Sequence, residues 1–366
     1  MHRSIRMMFI SFVFPALCLG QAPTTAVVTK TDPIAYLNRA IDIMQTQALR
    51  RNLVDWPKIR ATALTMAAHA ENPAGTYDAI RFALASLGDH HSSLHLTPAL
   101  EALEAQEKAK HPSANPVAIS HESFSPYVGR YEPEGHLERR GDRSFGYVVV
   151  TRCFPENDRQ FVAFESKLQK ILAELDQSRP AGWIVDLRGN VGGNMWPMLT
   201  GIGPLLGEGD NLGEFTDSAH VSTWRYRDGV AAELDGGKAS PYPAVEGAPY
   251  HISGTPNVAV LIDRNTGSSG DAIAIAFRGR PNTRFFGEHT QRDSTANQTF
   301  ELSDGATMWL TVSVQADRTG KQYIDGLSPD EEFPAATRVM PPSSDPVVQA
   351  ALDWLSRSTE QSMTER

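Results

Sequence analysis

The pattern of apolar and polar positions divides the chain into a helical leader and a region where strands and helices alternate. Ile34, Leu37, Ile41, Met44 and Ala48 recur at helical spacing behind Asp32-Pro33, an N-cap followed by proline at the first helical position. Asp55-Trp56-Pro57 opens a second helix, and residues 76–87 read as a third. Residues 32–105 are therefore expected to form a small helical unit with apolar faces. The stretch 106–142 is rich in Pro, Glu, Arg and Gly and reads as a connector.

The pattern then changes period. Residues 145–151 form an apolar, β-branched run, and Phe161, Phe164, Leu168, Ile171, Leu172 and Leu175 line one face of a helix. Further short buried strands are expected over 183–188, 258–263, 283–286 and 308–314, with a helix over 269–278. That order predicts an α/β fold, a βαβ-type core around a buried sheet. Residues 204–256 are Gly- and Pro-rich and carry Trp224, Tyr226, Tyr242 and Tyr250, so they read as an elaborated loop or hairpin near a site.

Composition narrows the function classes. The chain has 366 residues, 41% hydrophobic and 21% charged, enough for one large domain or two modest ones. A net charge of −9 argues against a nucleic-acid partner, because phosphate binding needs a basic surface. His2, Arg3 and Arg6 precede the apolar run 7–19, which breaks at Gly20-Gln21-Ala22-Pro23. A positive flank, a short apolar stretch and small residues make an export signal, with the cut expected after Gly20. No other segment has the length to span a membrane. Removal of the signal takes Cys18 with it and leaves Cys153, beside an apolar strand, as a core residue.

The candidate chemistry centres on Ser268. The run Val258-Ala-Val-Leu-Ile262 ends in Asp-Arg-Asn-Thr-Gly267, and a helix-like run starts directly after Ser268. A serine there exposes its hydroxyl on a tight turn, while the free N–H groups of the new helix point at whatever binds. Those groups suit an oxyanion formed in acyl transfer, although serine caps helices in the ordinary way too. Two other segments carry chemistry. Leu87-Gly-Asp-His-His-Ser-Ser-Leu94 is a turn with adjacent histidines, and Asp186-Leu-Arg-Gly-Asn-Val-Gly-Gly-Asn194 is a strand entering a Gly-rich loop.

Together these segments resemble the serine peptidase superfamily of C-terminal processing proteases, tricorn-type proteases and interphotoreceptor retinoid-binding protein. Asp55-Trp56-Pro57, Leu302-Ser-Asp-Gly305, Asp317-Arg-Thr-Gly320 and Gly326-Leu-Ser-Pro-Asp330 extend the resemblance over nearly the whole mature chain. It implies a serine hydrolase, most naturally a peptidase acting on peptides or proteins without a cofactor or metal. It also implies a crotonase-like ββα core over 143–358, behind a helical subdomain at 21–105 and a connector at 106–142. Carried over by position, Thr266-Gly-Ser-Ser-Gly-Asp271 makes Ser268 the nucleophile, and Asp89-His-His-Ser92 makes His91 the base. Gly192 or Gly193 then joins the Ser269 N–H in the oxyanion hole, while Asp186 and Arg188 brace the loop. Asp325 is the nearest acid for a third, orienting role.

The sequence departs from that superfamily in places. Asp271 stands where the family usually has Glu. Residues 286–293 hold no lysine where the Ser/Lys branch carries its base, which points to the Ser/His branch. There is no room for an inserted PDZ domain between His91 and the first core strand. His90, His91 and His95 allow a metal reading, but no glutamate follows His91 in the zinc-protease pattern. His289 is a spare candidate base. A binding protein that has lost turnover, or a small-molecule esterase or amidase, would use the same motifs.

Overall fold

Asp32 accepts the Ile34 N–H at 2.9 Å and Pro33 follows it, so the leader opens as its sequence requires. The computed structural model describes residues 31–110, 125–217 and 219–364; the expected export signal and its expected cut after Gly20 lie outside them. The leader comprises α1 (Pro33–Gln47), α2 (Trp56–Met66), α3 (Tyr77–Ala85), β1 (Ser93–His95) and α4 (Pro98–Lys110). It is not a separate body. Leu37, Ile41 and Met44 of α1 share one apolar cluster with Leu302, Met308 and Leu310 from the other end of the chain.

The expected connector contains a strand. β2 (Glu134–Arg140) runs antiparallel to β3 (Arg143–Val149) through a turn at Gly141. Most of its side chains are exposed or half-buried, as on a sheet edge, so no apolar run marks it. Next come α5 (Asp158–Asp176), β4 (Trp183–Asp186) and α6 (Met195–Leu206). The stretch 204–256 holds the antiparallel strands β5 (Gly213–Thr216), β6 (Val221–Arg227), β7 (Val230–Asp235) and β8 (Lys238–Pro241), in keeping with a hairpin. The chain continues as β9 (Val258–Ile262), α7 (Ser269–Phe277), β10 (Thr283–Gly287), β11 (Thr295–Glu301), β12 (Thr307–Asp317), β13 (Glu331–Glu332) and α8 (Pro346–Thr364).

These elements form a mixed α/β structure with two sheets. One is six-stranded, in the order β13-β10-β9-β4-β3-β2, and parallel except at β2. Its central strands are buried on both faces, which is why they read as continuous apolar runs. Val258, Val260 and Ile262 of β9 face α6 and α7, whereas Ala259 and Leu261 face α8. The other sheet has β12 beside β1, β5 and β11, and continues through β6, β7 and β8. Helices α6 and α7 lie between the sheets and are apolar nearly all round, so every residue of both is buried. Sheet two therefore faces sheet one across α7, and the leader covers its far side. Among the described residues no helix is long and apolar enough to cross a membrane.

One buried group works against this packing. Glu165 of α5 is fully buried against α6, and neither carboxyl oxygen has a hydrogen-bond partner among the described residues. Burial pushes its carboxyl up to about 9, so it is neutral at pH 7. Because the folded value lies above the ordinary 4.5, the native chain keeps a proton that the unfolded chain releases. Stability from this group is complete below about pH 4.5 and is lost as pH rises toward about 9. Glu165→Gln should therefore flatten the fall in melting temperature between about pH 5 and pH 9, and raise it by roughly 2–4 °C at pH 8. Parallel curves for the two proteins in a calorimetric pH series would refute this.

Candidate active site

Ser268 ends the turn between β9 and α7 with φ 53° and ψ −117°, a conformation that L residues other than glycine rarely adopt. Such a residue costs roughly 1–3 kcal/mol and persists only where its surroundings hold it. Here they do. Thr266 Oγ1 donates to the Leu187 carbonyl at 3.0 Å, Gly267 N–H to Asn190 O at 3.0 Å, and Gln291 N–H to Thr266 O at 2.8 Å. The Ser268 side chain makes no capping bond, so its hydroxyl is not spent on the helix.

The Gly-rich loop lies directly against this turn. A Cβ on Gly192 would fall 2.8 Å from Ser268 Cβ and 2.9 Å from the Ser269 nitrogen. One on Gly193, where φ is +112°, would fall 2.1 Å from the Cys153 carbonyl oxygen. Only glycine fits at either place. The loop is braced from behind, as expected for Asp186 and Arg188. Asp186 accepts from Arg188 Nε at 2.9 Å, Tyr147 Oη at 2.6 Å and Arg130 Nη1 at 2.5 Å. Arg188 also reaches Asp345 at 2.7 Å. Burial by itself would raise the Asp186 carboxyl, but the two guanidiniums hold it well below the usual carboxylate range.

Two backbone N–H groups of these segments are left unengaged among the described residues. The Ser269 N–H opens α7, and no hydrogen bond among the described residues engages it or the Gly193 N–H. The Gly192 N–H is different: it donates to Asn190 Oδ1 at 3.0 Å. The sequence left Gly192 and Gly193 as equals, and the structure separates them because the Asn190 side chain folds back under its own loop. Ser269 Oγ donates to the Gly193 carbonyl at 2.5 Å and ties the helix to the loop.

His91 arrives from the leader, just ahead of β1. Asp89 accepts the His91 and Ser92 N–H groups at 3.2 and 2.7 Å, and Asn297 Nδ2 donates to the His91 carbonyl at 2.8 Å. Its ring Nδ1 sits 2.8 Å from Thr295 Oγ1 on β11. Burial lowers the His91 pKa against the raising effect of the Asp293 and Asp89 carboxylates. Gln315 of β12 links the two halves of the site. Its Nε2 donates to Ser268 O at 3.3 Å and to Thr295 O at 3.1 Å. Ser268 and His91 thus share supports, but no hydrogen bond joins them directly.

The other candidates fall elsewhere. His90 is exposed. His95 packs at a tilt against Trp309 with ring centroids 4.4 Å apart. His289 bonds the Thr290 carbonyl at 2.8 Å. Asp325 is exposed and is not the partner of His91, whose Nδ1 is taken by Thr295. The turn carrying Asp325 is drawn to Thr290 instead, through Leu327 N–H to Thr290 Oγ1 at 2.9 Å. Asp271 is buried at the start of α7, where burial raises its carboxyl well above the ordinary range and Ser294 Oγ donates to it at 2.7 Å. Cys153 is buried and its thiol pushed up to about 12 by burial, an inert core residue as its sequence setting suggested. Sequence reasoning missed Thr295, Gln315 and Asn190, whose only local signal is a polar residue in a strand or loop.

The profile of peptidase family S41 matches residues 144–333. A nisin-resistance protein from Lactococcus lactis subsp. lactis is 29% identical over 303 residues, covering 81% of this chain and 82% of that protein. The solved structure of a lipoprotein from Streptococcus agalactiae superposes with a TM-score of 0.65 at 21% identity, covering 93% of this chain and 100% of that one. The photosystem II D1 C-terminal processing protease superposes at 0.57 with 17% identity, over 88% and 97% of the two chains.

Proposed function

The chain belongs to peptidase family S41 and is a serine-type peptidase, and on that premise we propose that it is an exported enzyme cleaving peptide bonds through an acyl-enzyme on Ser268, with His91 as general base. The observation that carries this reading is the strained Ser268 turn, with two unengaged N–H groups beside it. We read residues 143–358 as a crotonase-like peptidase core, with the leader at 21–105 supplying the base. Export rests on the sequence before Gln21, and a lipoprotein among the similar structures favours the cell envelope.

In this reading Ser268 Oγ attacks the scissile carbonyl carbon and its proton passes to His91 Nε2. The carbonyl electron pair moves onto oxygen, where the Gly193 and Ser269 N–H groups hold the negative charge. The tetrahedral adduct then collapses, and the departing amine takes the proton from His91. Water repeats the sequence on the ester and frees Ser268. Thr295 Oγ1 takes the role expected of Asp325: it accepts from Nδ1–H and so leaves Nε2 as the base. Gln315 acts as a positioning residue, because one amide holds both the nucleophile turn and the strand that orients the base.

The test is labelling with a fluorophosphonate probe and mapping of the adduct. Attachment at Ser268 is the expected result; attachment elsewhere, or none, would overturn the reading. The pH profile gives a second check. The base works in its neutral form, so activity rises as His91 loses its proton, and burial lowers that pKa below the ordinary 6.5. The acid limb of kcat/KM should therefore have its midpoint below pH 6.5. Asp293→Asn removes a charge that favours the imidazolium, so the midpoint should move lower still. A limb above pH 6.5, or one that Asp293→Asn raises, contradicts this assignment.

A further inference from the structure

Cys153 pairs with the Gly-rich loop on both sides: its N–H donates to Gly192 O at 3.1 Å, and its carbonyl accepts from Asn194 N–H at 2.7 Å. Its side chain enters the core. Of its two neighbours, Arg152 is half-buried and Phe154 is exposed. The Arg152 guanidinium lies 4.2 Å from the centroid of the Tyr131 ring and 6.0 Å from that of Phe154. Both rings are well exposed, 61% and 58%. Phe154 borders the oxyanion donor directly, since a Cβ on Gly193 would meet its Cδ1 at 3.2 Å.

The arginines near this site are used differently. Arg130 and Arg188 are spent on Asp186, and Arg264 on Glu288. Arg152 has neither a hydrogen bond nor an ion pair among the described residues. Two acids beside these residues in sequence have partners of their own: Glu132 holds Lys167 at 2.7 Å, and Glu156 receives the Gln160 amide at 3.5 Å. Two exposed rings beside a free cation, in a chain of net charge −9, are hard to account for by packing. A ring on the face of a guanidinium leaves its in-plane N–H fork free, and that fork matches a carboxylate in two-pronged fashion.

We infer that Tyr131, Arg152 and Phe154 form a substrate subsite beside the oxyanion hole, which receives a carboxylate of the peptide with Arg152 and packs the adjoining apolar part on the two rings. The inference rests on the peptidase reading above. The carboxylate can come from the end of a peptide or from an Asp or Glu side chain, and the chemistry at Arg152 is the same. A peptide whose scissile carbonyl sits on the Gly193 N–H runs directly past Phe154, so the subsite lies within reach of the same chain.

Three N-acetylated octapeptide mixtures test this. One is amidated and lacks Asp and Glu, one lacks them but has a free C-terminal carboxylate, and one is amidated but contains them. The parent should cleave one of the two carboxylate mixtures with a kcat/KM roughly tenfold to a hundredfold above the neutral mixture, the range of a charge-assisted bond. Which one it favours identifies the source. Arg152→Gln should bring that ratio close to one, and Arg152→Lys should keep part of it. The readout is a ratio within each protein, so a general loss of activity cancels. A parent with no preference for carboxylate, or an Arg152→Gln variant that keeps the full preference, overturns the subsite. Fluorophosphonate labelling of the same preparations separates the two readings. Protein that labels at Ser268 yet shows no carboxylate preference refutes the subsite alone. Protein that neither labels nor cleaves any mixture refutes both.

Discussion

Ser268→Ala is expected to abolish fluorophosphonate labelling and to lower kcat by about four to six orders of magnitude, with the fold intact. The loss is large because the hydroxyl is the atom that forms the acyl bond, and the oxyanion donors have no adduct to hold without it. The fold survives because the Ser268 side chain makes no capping bond, and alanine meets the same backbone strain as serine. Its melting temperature should therefore stay within a degree or so of the parent, an effect below about 0.5 kcal/mol. Ser268→Gly provides a contrast. Glycine adopts φ 53° without penalty, so this variant should be equally inactive but more stable, by about 1 kcal/mol. Ser269→Ala should still label, because its hydroxyl is engaged with the Gly193 carbonyl. Intact labelling in Ser268→Ala, mapped by mass spectrometry, would refute the nucleophile assignment.

His91→Ala is the second large effect. It should lose nearly as much activity as Ser268→Ala, and the double variant should be little worse than either, because nucleophile and base act as a unit. A serine hydroxyl is a weak nucleophile near neutral pH and needs a base within reach. His90 is exposed and His289 is bonded to the Thr290 carbonyl, so neither replaces it. Added imidazole should restore part of the turnover of His91→Ala and none of that of Ser268→Ala, which distinguishes a missing base from a damaged fold. Thr295→Val should cost less, roughly tenfold to a hundredfold, because the ring remains but loses the acceptor that orients it. A fully active His91→Ala enzyme, measured on any cleaved peptide, would show the base to lie elsewhere.

The leader is packed into the rest of the fold rather than appended to it. It supplies His91, and its apolar face is completed by Leu302, Met308 and Leu310. Cutting it away would expose that sheet face and remove the proposed base at once, so a fragment starting near residue 143 should neither fold well nor turn over.

Much of this protein was determined by the sequence alone. Strands buried on both faces are apolar without interruption, and α5 shows its single buried face, so period and length located them. The Ser268 turn was legible because a buried strand, a turn of small residues and an apolar helix must follow one another within one short segment. The Gly-Gly pair was legible too, since only glycine lets backbone approach backbone that closely. β2 escaped because an edge strand with mostly polar positions has no apolar signature. The remaining decisions needed tertiary structure, because each depends on a hydrogen-bond partner from a distant part of the chain. Asn190 consumes the Gly192 N–H and leaves that of Gly193, a choice between neighbours that no local pattern records. Thr295 rather than Asp325 meets His91, because β11 pairs along β12 beside β1 while the Asp325 turn is bound to Thr290. Gln315 joins the Ser268 turn to Thr295 only because α7 lies between the two sheets, with β12 against it, and that layering exists only once the chain has folded.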